Sequence, residues 1–308
     1  MENALESFTM YLRAERNASP LTVRNYIHDI QGFFSFLHHK EVQELGQVDR
    51  HLLRDYLAWL LGRNYVKSSI ARKLSALRTF YRYLVRENLV EADPVRAISA
   101  PKLEKRLPVF LTPQETVTLL KAPDTTKPQG QRDRAILELL YASGMRVSEV
   151  VRLGLRDVNH TTREIRVLGK GYKERIVLMG IPAAASLEMY LQKGRNELLG
   201  NRTDNALFLN RLKRRISARW IQSMLSRYAR LAGLNKKVTP HVLRHTFATH
   251  MLSGGADLRV VQELLGHSSA ATTQIYTHIT QGHARRVYMA AHPRARAAAE
   301  TPQQDPVH

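Results

Sequence analysis

Apolar residues recur at helical spacing through the first hundred positions of the chain. Leu5, Phe8 and Leu12 form the first stripe. Ser19 and Pro20 follow, a pair typical of a helix N-cap and its first helical residue. The next stripe consists of Val23, Tyr26, Ile30, Phe33 and Leu37. Similar stripes cover 48–61 and 70–84, so the pattern predicts four helices. Ser68 or Ser69 is the expected cap of the fourth.

The helical pattern stops in a segment rich in proline and basic residues. Pro94, Pro101 and Pro108 break the periodicity. The sequence therefore predicts a helical domain over 1–90 and a linker over 91–108. A second domain over 109–293 opens at Thr112 and Pro113. The last residues, 294–308, are small, polar and proline-bearing, and are expected to be a disordered tail.

The second domain is also mainly helical, with one interruption. An apolar helix through residue 141 is expected to end at Gly144 as a left-handed C-cap, and Ser148 is expected to cap the helix after it. Segments 162–168 and 174–178 alternate and are rich in β-branched residues. A glycine-rich turn separates them, which predicts a β-hairpin. The fold class is mainly α, in two domains, with a small antiparallel β-sheet in the second.

The charge balance indicates a polyanionic partner. The 308 residues carry a formal net charge of +20, and the sequence pI is about 10.4. Acidic residues are absent from 67–86, and from 205–245, where ten Lys or Arg residues occur. Such runs are usually solvated helix faces, but in so basic a chain they favour contact with backbone phosphates. The candidate DNA-binding residues are Arg72, Arg78, Arg82, Lys213, Arg214 and Arg215.

Several classes of protein are disfavoured by what the sequence lacks. Without cysteine, no disulfide and no thiolate metal site can form. No run of about 18 apolar residues is present, and the first residues lack the apolar core of a secretory signal. We therefore expect a soluble, cytoplasmic protein with no membrane partner and no cofactor.

The chemistry-bearing residues concentrate between 239 and 276. Thr239 and Pro240 begin a helix that places His241 in its first turn, where backbone amides favour an anion. Arg244, three residues on, shares its face. Further along, Gly266 is expected to end the next helix, with His267 in the turn after it and Tyr276 on a further short helix. His245 is expected to be a core histidine.

This set, together with Arg146 far upstream, matches the needs of attack on a phosphodiester. Paired arginines fit phosphate oxygens as two-pronged donors, and histidines can carry protons. A tyrosine hydroxyl can form a covalent intermediate. Each residue alone is typical of ordinary packing or surface pairing; their joint occurrence within a basic stretch favours the chemical interpretation.

Four blocks of sequence resemble the tyrosine site-specific recombinases of the phage integrase family, most closely the Xer subgroup. They read ASGMRVSEVVRL, LGKGYKER, TPHVLRHTFATHMLSGGADLRVVQELLGHSSAATTQIYTH and VYMAAHPRA. The N-terminal pattern SPLTVRNYIHDIQGFFSFL is similar to the family's SAM-like core-binding domain. The resemblance extends over about residues 1–296 and implies a two-domain clamp around DNA.

The resemblance also implies a role for each site residue. Arg146 and Arg244 would clamp the non-bridging oxygens of the scissile phosphate. Lys170, in the hairpin turn, would protonate the leaving 5′ oxygen. His241 and His267 would be the site histidines, and Tyr276 the nucleophile.

Strand exchange between two double-stranded DNA sites is the reaction so implied. It would proceed through a 3′-phosphotyrosyl intermediate and a Holliday junction, without ATP or metal. The partners would be a recombination site, a homo- or hetero-tetramer with a related recombinase, and a septal DNA translocase. The biological role would be the resolution of chromosome or plasmid dimers at cell division.

Three other functions are compatible with parts of the sequence. A type IB topoisomerase-like enzyme would use the same residues to rejoin its own strand only. A non-catalytic DNA-binding protein would need only the basic surface. A metal-dependent hydrolase would use His241, His245 and His250, although the acidic partners that usually orient metal-bound histidines are missing nearby.

Overall fold

The chain divides into two compact units, Met1–Arg106 and Leu107–His308. The computed structural model describes residues 1–102, 108–169, 174–266 and 279–296. Each unit has a hydrophobic core of its own.

The first unit contains the four helices that the apolar stripes predict. They are α1 Glu2–Ala14, α2 Pro20–His39, α3 Arg50–Gly62 and α4 Lys67–Arg86. The expected cap of α2 is confirmed, because the Ser19 hydroxyl accepts from the backbone amide of Thr22 at 3.1 Å. The serine cap expected for α4 is wrong. The N-cap is Val66, two residues before Ser68, and its extended backbone takes that place without a side-chain hydrogen bond.

Aromatic rings fill the centre of the first unit. Phe8 is fully buried, and the centroid of its ring lies 5.1 Å from that of Phe80 in an edge-to-face arrangement, which is favourable. Val95 and Ile98 are buried in the same core, although they lie inside the range 91–108 predicted as a linker. The predicted linker can therefore include only the residues after Ile98. That these residues form a linker stays a prediction.

A buried carboxylate joins α2 to α4. Asp29 has no exposed surface and pairs with both Arg72 and Lys73. The ammonium of Lys73 lies 3.3 Å from the carboxylate, and only 4% of the Lys73 side chain is exposed. A buried cation is stable only next to its counter-ion. The close packing of α2 against α4 therefore requires both charges of the Asp29–Lys73 pair.

The second unit surrounds one central helix. α6 Pro128–Ser143 is buried along nearly its whole length from Gly130 onward. The elements around it are α5 Pro113–Lys121, α7 Val147–Arg152, α8 Ile181–Met189, α9 Arg195–Leu199, α10 Ala218–Leu231, α11 Pro240–Ser253, α12 Leu258–Leu265, α13 Ile279–Ala291 and α14 Pro293–Arg296. No helix in the described ranges is both long and apolar enough to span a bilayer.

A three-stranded antiparallel sheet interrupts these helices. Its strands are β1 Val158–Asn159, β2 Glu164–Leu168 and β3 Glu174–Leu178, in the order β1-β2-β3. The β2–β3 pair confirms the predicted hairpin, with Leu168 opposite Glu174. The two-residue strand β1 has too short a pattern for prediction from sequence.

The end of the chain packs against the second unit further than expected. The side chains of Tyr288, His292 and Ala295 are buried, and Arg294 donates to the buried Glu138 of α6 at 2.8 Å. Burial lowers the pKa of His292 to about 3, so its ring is neutral. Residues 294–296, predicted to be the start of a disordered tail, instead belong to helix α14. The rest of the predicted tail, 297–308, lies outside the described residues.

The buried ion pair of the first unit generates a stability prediction. Asp29→Asn keeps the shape of the side chain but leaves the buried Lys73 without its counter-ion, which should cost about 3–5 kcal/mol. The matched control is Asp55→Asn, which removes an exposed pair with Lys40 at 3.8 Å and should cost at most about 1 kcal/mol.

The measurement is urea unfolding of the full chain in a Trp220→Phe background. Trp59 of α3 is then the one remaining tryptophan of the two in the sequence, so its fluorescence reports on the first unit. Equal midpoints for the two asparagine variants would contradict a structural role for the buried pair.

Candidate active site

Arg146 lies at a sharp junction between two helices. Gly144 ends α6 with φ +59°, which confirms the predicted left-handed C-cap. Arg146 itself is the extended N-cap of α7, and its backbone amide donates to the Glu149 carboxylate at 2.7 Å. The expectation that Ser148 caps this helix is therefore wrong, because Glu149 at the third helical position takes that role.

Arg244 connects the ends of three helices. It lies in the second turn of α11, whose N-cap Thr239 accepts from the amide of Val242 at 3.3 Å. The guanidinium donates from Nη1 to the Gly144 carbonyl at 2.6 Å and from Nη2 to the Leu265 carbonyl at 2.7 Å. Arg244 thereby fixes the C-terminal ends of α6 and α12 against α11.

The two arginines singled out from the sequence meet at the end of α12. Arg146 reaches the Gly266 carbonyl with Nη2 at 3.4 Å, next to the Leu265 carbonyl that Arg244 binds. Gly266 has φ +66° and ends α12, as expected. Both cations are thus held beside the residue that precedes position 267.

Two further charged residues belong to this cluster and were not singled out from the sequence. Glu149 is buried and accepts from Arg175 of β3 at 2.8 and 2.9 Å. Burial alone would raise the pKa of Glu149, but hydrogen bonds from Arg175 and from the Arg146 amide outweigh burial and hold that pKa below its usual value. The spacing of Arg146 and Glu149 is that of an N-cap and the third helical residue, a signal that sequence analysis can use. Arg175 gives no comparable signal.

The repulsion between the two arginines makes the cluster favourable for binding an anion. Burial, and then the positive charge of Arg146, lower the pKa of Arg244 to about 10. At neutral pH the guanidinium is still a cation. A bound anion would relieve the repulsion between the two arginines, because an opposite charge favours the charged form.

The three histidines of α11 have different surroundings. His241 is exposed in the first turn, whereas His245 is half-buried with its ring 6.2 Å from that of Phe110. His250 is buried, and its Nδ1 lies 2.9 Å from the Tyr141 hydroxyl. Among the residues described, no group of three His, Asp or Glu side chains could hold a metal ion, so this geometry gives no support to the hydrolase alternative.

Lys170, His267 and Tyr276 lie outside the described residues. In sequence, Lys170 falls between β2 and β3, and His267 directly follows Gly266. Tyr276 falls between α12 and α13.

The candidate DNA-binding residues differ in how they are held. Arg72 pairs with Asp29, and Arg78 donates to the Ile98 carbonyl. Arg215 donates to the carbonyls of Val151 and Leu153, each at 2.7 Å. All six residues have exposed or half-buried side chains, including the remaining three: Arg82, Lys213 and Arg214.

Family models match both units of the chain. The model of the phage integrase family matches residues 109–283. The model of the phage integrase N-terminal SAM-like domain matches residues 5–88. The chain belongs to the phage integrase family.

Similar proteins place this family member among the tyrosine recombinases, enzymes that cleave and rejoin DNA. It is 44% identical over 301 residues to tyrosine recombinase XerC of Pelotomaculum thermopropionicum, covering 95% of this chain and 98% of the relative. It is 40% identical over 295 residues to tyrosine recombinase XerD of Staphylococcus epidermidis, covering 96% of this chain and all of the relative.

Solved structures share the fold of this integrase family member. A lambda integrase (75–356) dimer bound to a COC′ core site has a TM-score of 0.68 at 20% identity, covering 91% of this chain and 99% of that one. XerH site-specific recombinase bound to a palindromic difH substrate has a TM-score of 0.67 at 23% identity, covering 93% and 81%. The predicted fold class, a helical N-terminal domain and a mainly helical catalytic domain with a small sheet, is confirmed.

The glycine between α6 and Arg146 generates a prediction about this integrase. A Cβ at Gly144 would lie 2.5 Å from Phe247 Cδ1 and 2.8 Å from Leu265 Cδ2. Gly144→Ala must therefore displace α11 or α12 as well as adopt a left-handed backbone. DNA cleavage should fall by roughly tenfold or more, since small misplacements of catalytic groups are costly. The measurement is cleavage of a nicked recombination-site duplex, with thermal unfolding of the same variant.

The matched control is Gly233→Ala. Gly233 also has a left-handed backbone, φ +67°, but nothing lies within 4 Å of the added Cβ. That variant should lose about 1–2 kcal/mol from backbone strain and cleave DNA normally. Normal cleavage by Gly144→Ala would show that the close packing at this glycine has no bearing on the site.

Proposed function

We propose that the protein is a site-specific DNA recombinase that uses Tyr276 to attack the scissile phosphate. One observation carries the proposal: Arg146 and Arg244, which are 98 positions apart in the sequence, both donate to the end of α12 directly before position 267. A pair of fixed guanidinium groups is the arrangement that neutralises the oxygens of a phosphodiester.

The proposed reaction needs only groups of the protein. As the Tyr276 oxygen bonds to phosphorus, the bond from phosphorus to the 5′ oxygen breaks. His241 accepts the phenol proton, and Lys170 gives a proton to the leaving 5′ oxygen. Arg146, Arg244 and His267 stabilise the charge on the phosphate, which is the main demand of phosphoryl transfer.

The 3′-phosphotyrosyl bond retains the energy of the broken phosphodiester. A 5′ hydroxyl from a second duplex can attack that bond and release Tyr276, so strands are exchanged without ATP. Two duplexes and paired cleavage require a tetramer and pass through a Holliday junction. A lambda integrase tetramer bound to a Holliday junction has the same fold, with a TM-score of 0.68 at 21% identity.

The biological setting is proposed from the named relatives. Relatives of 40–44% identity are called XerC and XerD, which supports a role in resolving chromosome or plasmid dimers at cell division. The protein would act in the cytoplasm, alone or with a related recombinase, under the control of a septal DNA translocase.

The two units would act together as a clamp on the recombination site. We propose a first domain that extends beyond the expected 1–90 through Ile98 and a second domain over 109–293, joined by a linker within 99–108. Phosphate contacts would come from the exposed basic side chains, Arg82 and Arg214 among them. Arg72 and Arg78 of the first unit, and Lys213 and Arg215 of the second, would add further phosphate contacts.

The test of this function is covalent trapping on a nicked suicide substrate. The nick lets the fragment with the 5′ hydroxyl diffuse away, so the protein–DNA adduct accumulates. Digestion and mass spectrometry of the adduct should identify Tyr276. Tyr276→Phe should bind the duplex with unchanged affinity and give no adduct; an adduct at another residue would overturn the assignment.

The role proposed for Lys170 has a separate chemical test. Lys170→Ala should slow adduct formation by roughly 10²–10⁴-fold, the usual contribution of a general acid. A substrate with sulfur at the 5′ bridging position should recover most of this loss, since a thiolate leaves without a proton. The same sulfur substrate should leave Arg244→Lys impaired, because an ammonium lacks the two-pronged contact. Equal rates for Lys170→Ala on the two substrates would remove Lys170 from the acid role.

A further inference from the structure

Arg175 connects three parts of the cluster around Arg146. It is the second residue of β3, and its guanidinium forms a two-pronged bond with Glu149 of α7. It also lies against the end of α12, since a Cβ on Gly266 would be 3.0 Å from Arg175 Nε. Only 16% of the Arg175 side chain is exposed. None of the phosphate or proton-transfer steps proposed above uses it.

Glu149 accepts side-chain hydrogen bonds from two arginines, but not equally. Arg175 donates to both carboxylate oxygens, at 2.8 and 2.9 Å. The side chain of Arg146 donates to one oxygen only, at 3.0 Å. Arg146 is also the more exposed of the two, with 38% of its side chain accessible. The carboxylate is thus satisfied mainly by the arginine that is further from solvent.

A buried carboxylate must be paired, and its preferred partner is a two-pronged guanidinium. Without Arg175, the nearest cation that could satisfy Glu149 in this way is Arg146. A second bond to Glu149 would turn the Arg146 guanidinium toward the protein. It would also cancel the charge of Arg146 where a phosphate needs it.

We propose that Arg175 is a positioning residue that occupies Glu149 and so keeps the Arg146 guanidinium available for the scissile phosphate. The proposal rests on the phosphate-binding role proposed for Arg146. The cluster of Arg146, Arg175, Arg244 and Glu149 contains three cations and one anion, a net charge of +2. Arg175 keeps that excess on the two arginines that meet the substrate.

The main experiment compares adduct formation by Arg175→Gln with that by the double variant Arg175→Gln, Glu149→Gln. The single variant should form the covalent adduct about 30-fold more slowly than wild type, the scale expected for the loss of one charged contact. The double variant has no carboxylate to capture Arg146, and its amide oxygen can still cap α7. It should return to within about fivefold of the wild-type rate.

A second readout separates positioning from packing. A methylphosphonate at the scissile position lacks one charged oxygen, so it depends less on a guanidinium. On this substrate the rate ratio between wild type and Arg175→Gln should shrink to roughly threefold or less. A general packing defect would leave the ratio the same on both substrates.

The control is Arg285→Gln. Arg285 of α13 pairs with Glu164 of β2 at 3.2 Å, so this variant also removes an arginine–carboxylate pair at the same sheet. It should cleave both substrates at the wild-type rate. Arg175→Gln should bind the duplex with the affinity of wild type, which shows that the variant is folded.

The outcomes distinguish this inference from the proposed function. A wild-type protein that forms no adduct at Tyr276 overturns the proposed function itself. If wild type forms the adduct, three results each overturn the role of Arg175 alone. They are a normal rate for Arg175→Gln, a double variant no faster than the single one, and an unchanged ratio on the methylphosphonate.

Discussion

The C-terminal end of α12 is held by two guanidinium groups, and the arrangement of the site depends on this contact. The last carbonyls of a helix have no partners within the helix and carry partial negative charge. Arg244 binds the carbonyl of Leu265 and Arg146 that of Gly266. One helix end thereby satisfies its own carbonyls and brings together two cations from distant parts of the sequence. Their mutual repulsion is balanced only in part by Glu149, so the cluster stays attractive to an anion.

Buried acids paired with arginines recur through the second unit. Asp133 on α6 accepts from Arg132 and Arg227, and Glu138 accepts from Arg134 and Arg294. Burial raises the pKa of both acids, and their arginines only partly oppose that rise. At Glu149 the balance is reversed, because Arg175 and the α7 amide together outweigh burial. Of these three acids, the one in the candidate site is the one whose pKa lies below its usual value.

Local patterns predicted most of the fold. The helical stripes, the Ser19 cap, the left-handed glycine at 144, the helix end at Gly266 and the β2–β3 hairpin all follow from residues close in sequence. Long-range packing accounts for the differences. The contacts that bury Ile98, and the ion pair between Arg294 and Glu138, are formed between segments that are distant in the chain. A local sequence pattern therefore cannot predict them.

In the candidate site, too, some residues could be predicted from the sequence and others only from the tertiary structure. Arg146 and Arg244 could be named from residue type, spacing and family resemblance, and the structure brings their side chains to one helix end. Arg175 could not, because an arginine in an alternating strand is typical of a solvated face. Its role depends on a carboxylate 26 positions away, which only the tertiary structure reveals.

The burial of Val95 and Ile98 determines where the N-terminal unit can be cut from the rest. A fragment ending at residue 90, or at residue 88 where the family model stops, would omit two side chains that fill its interior. Each omission would expose apolar surface worth about 1.5–3 kcal/mol, a large share of the stability of so small a unit. An isolated N-terminal unit should therefore be expressed through about residue 102, so that both side chains stay in its interior.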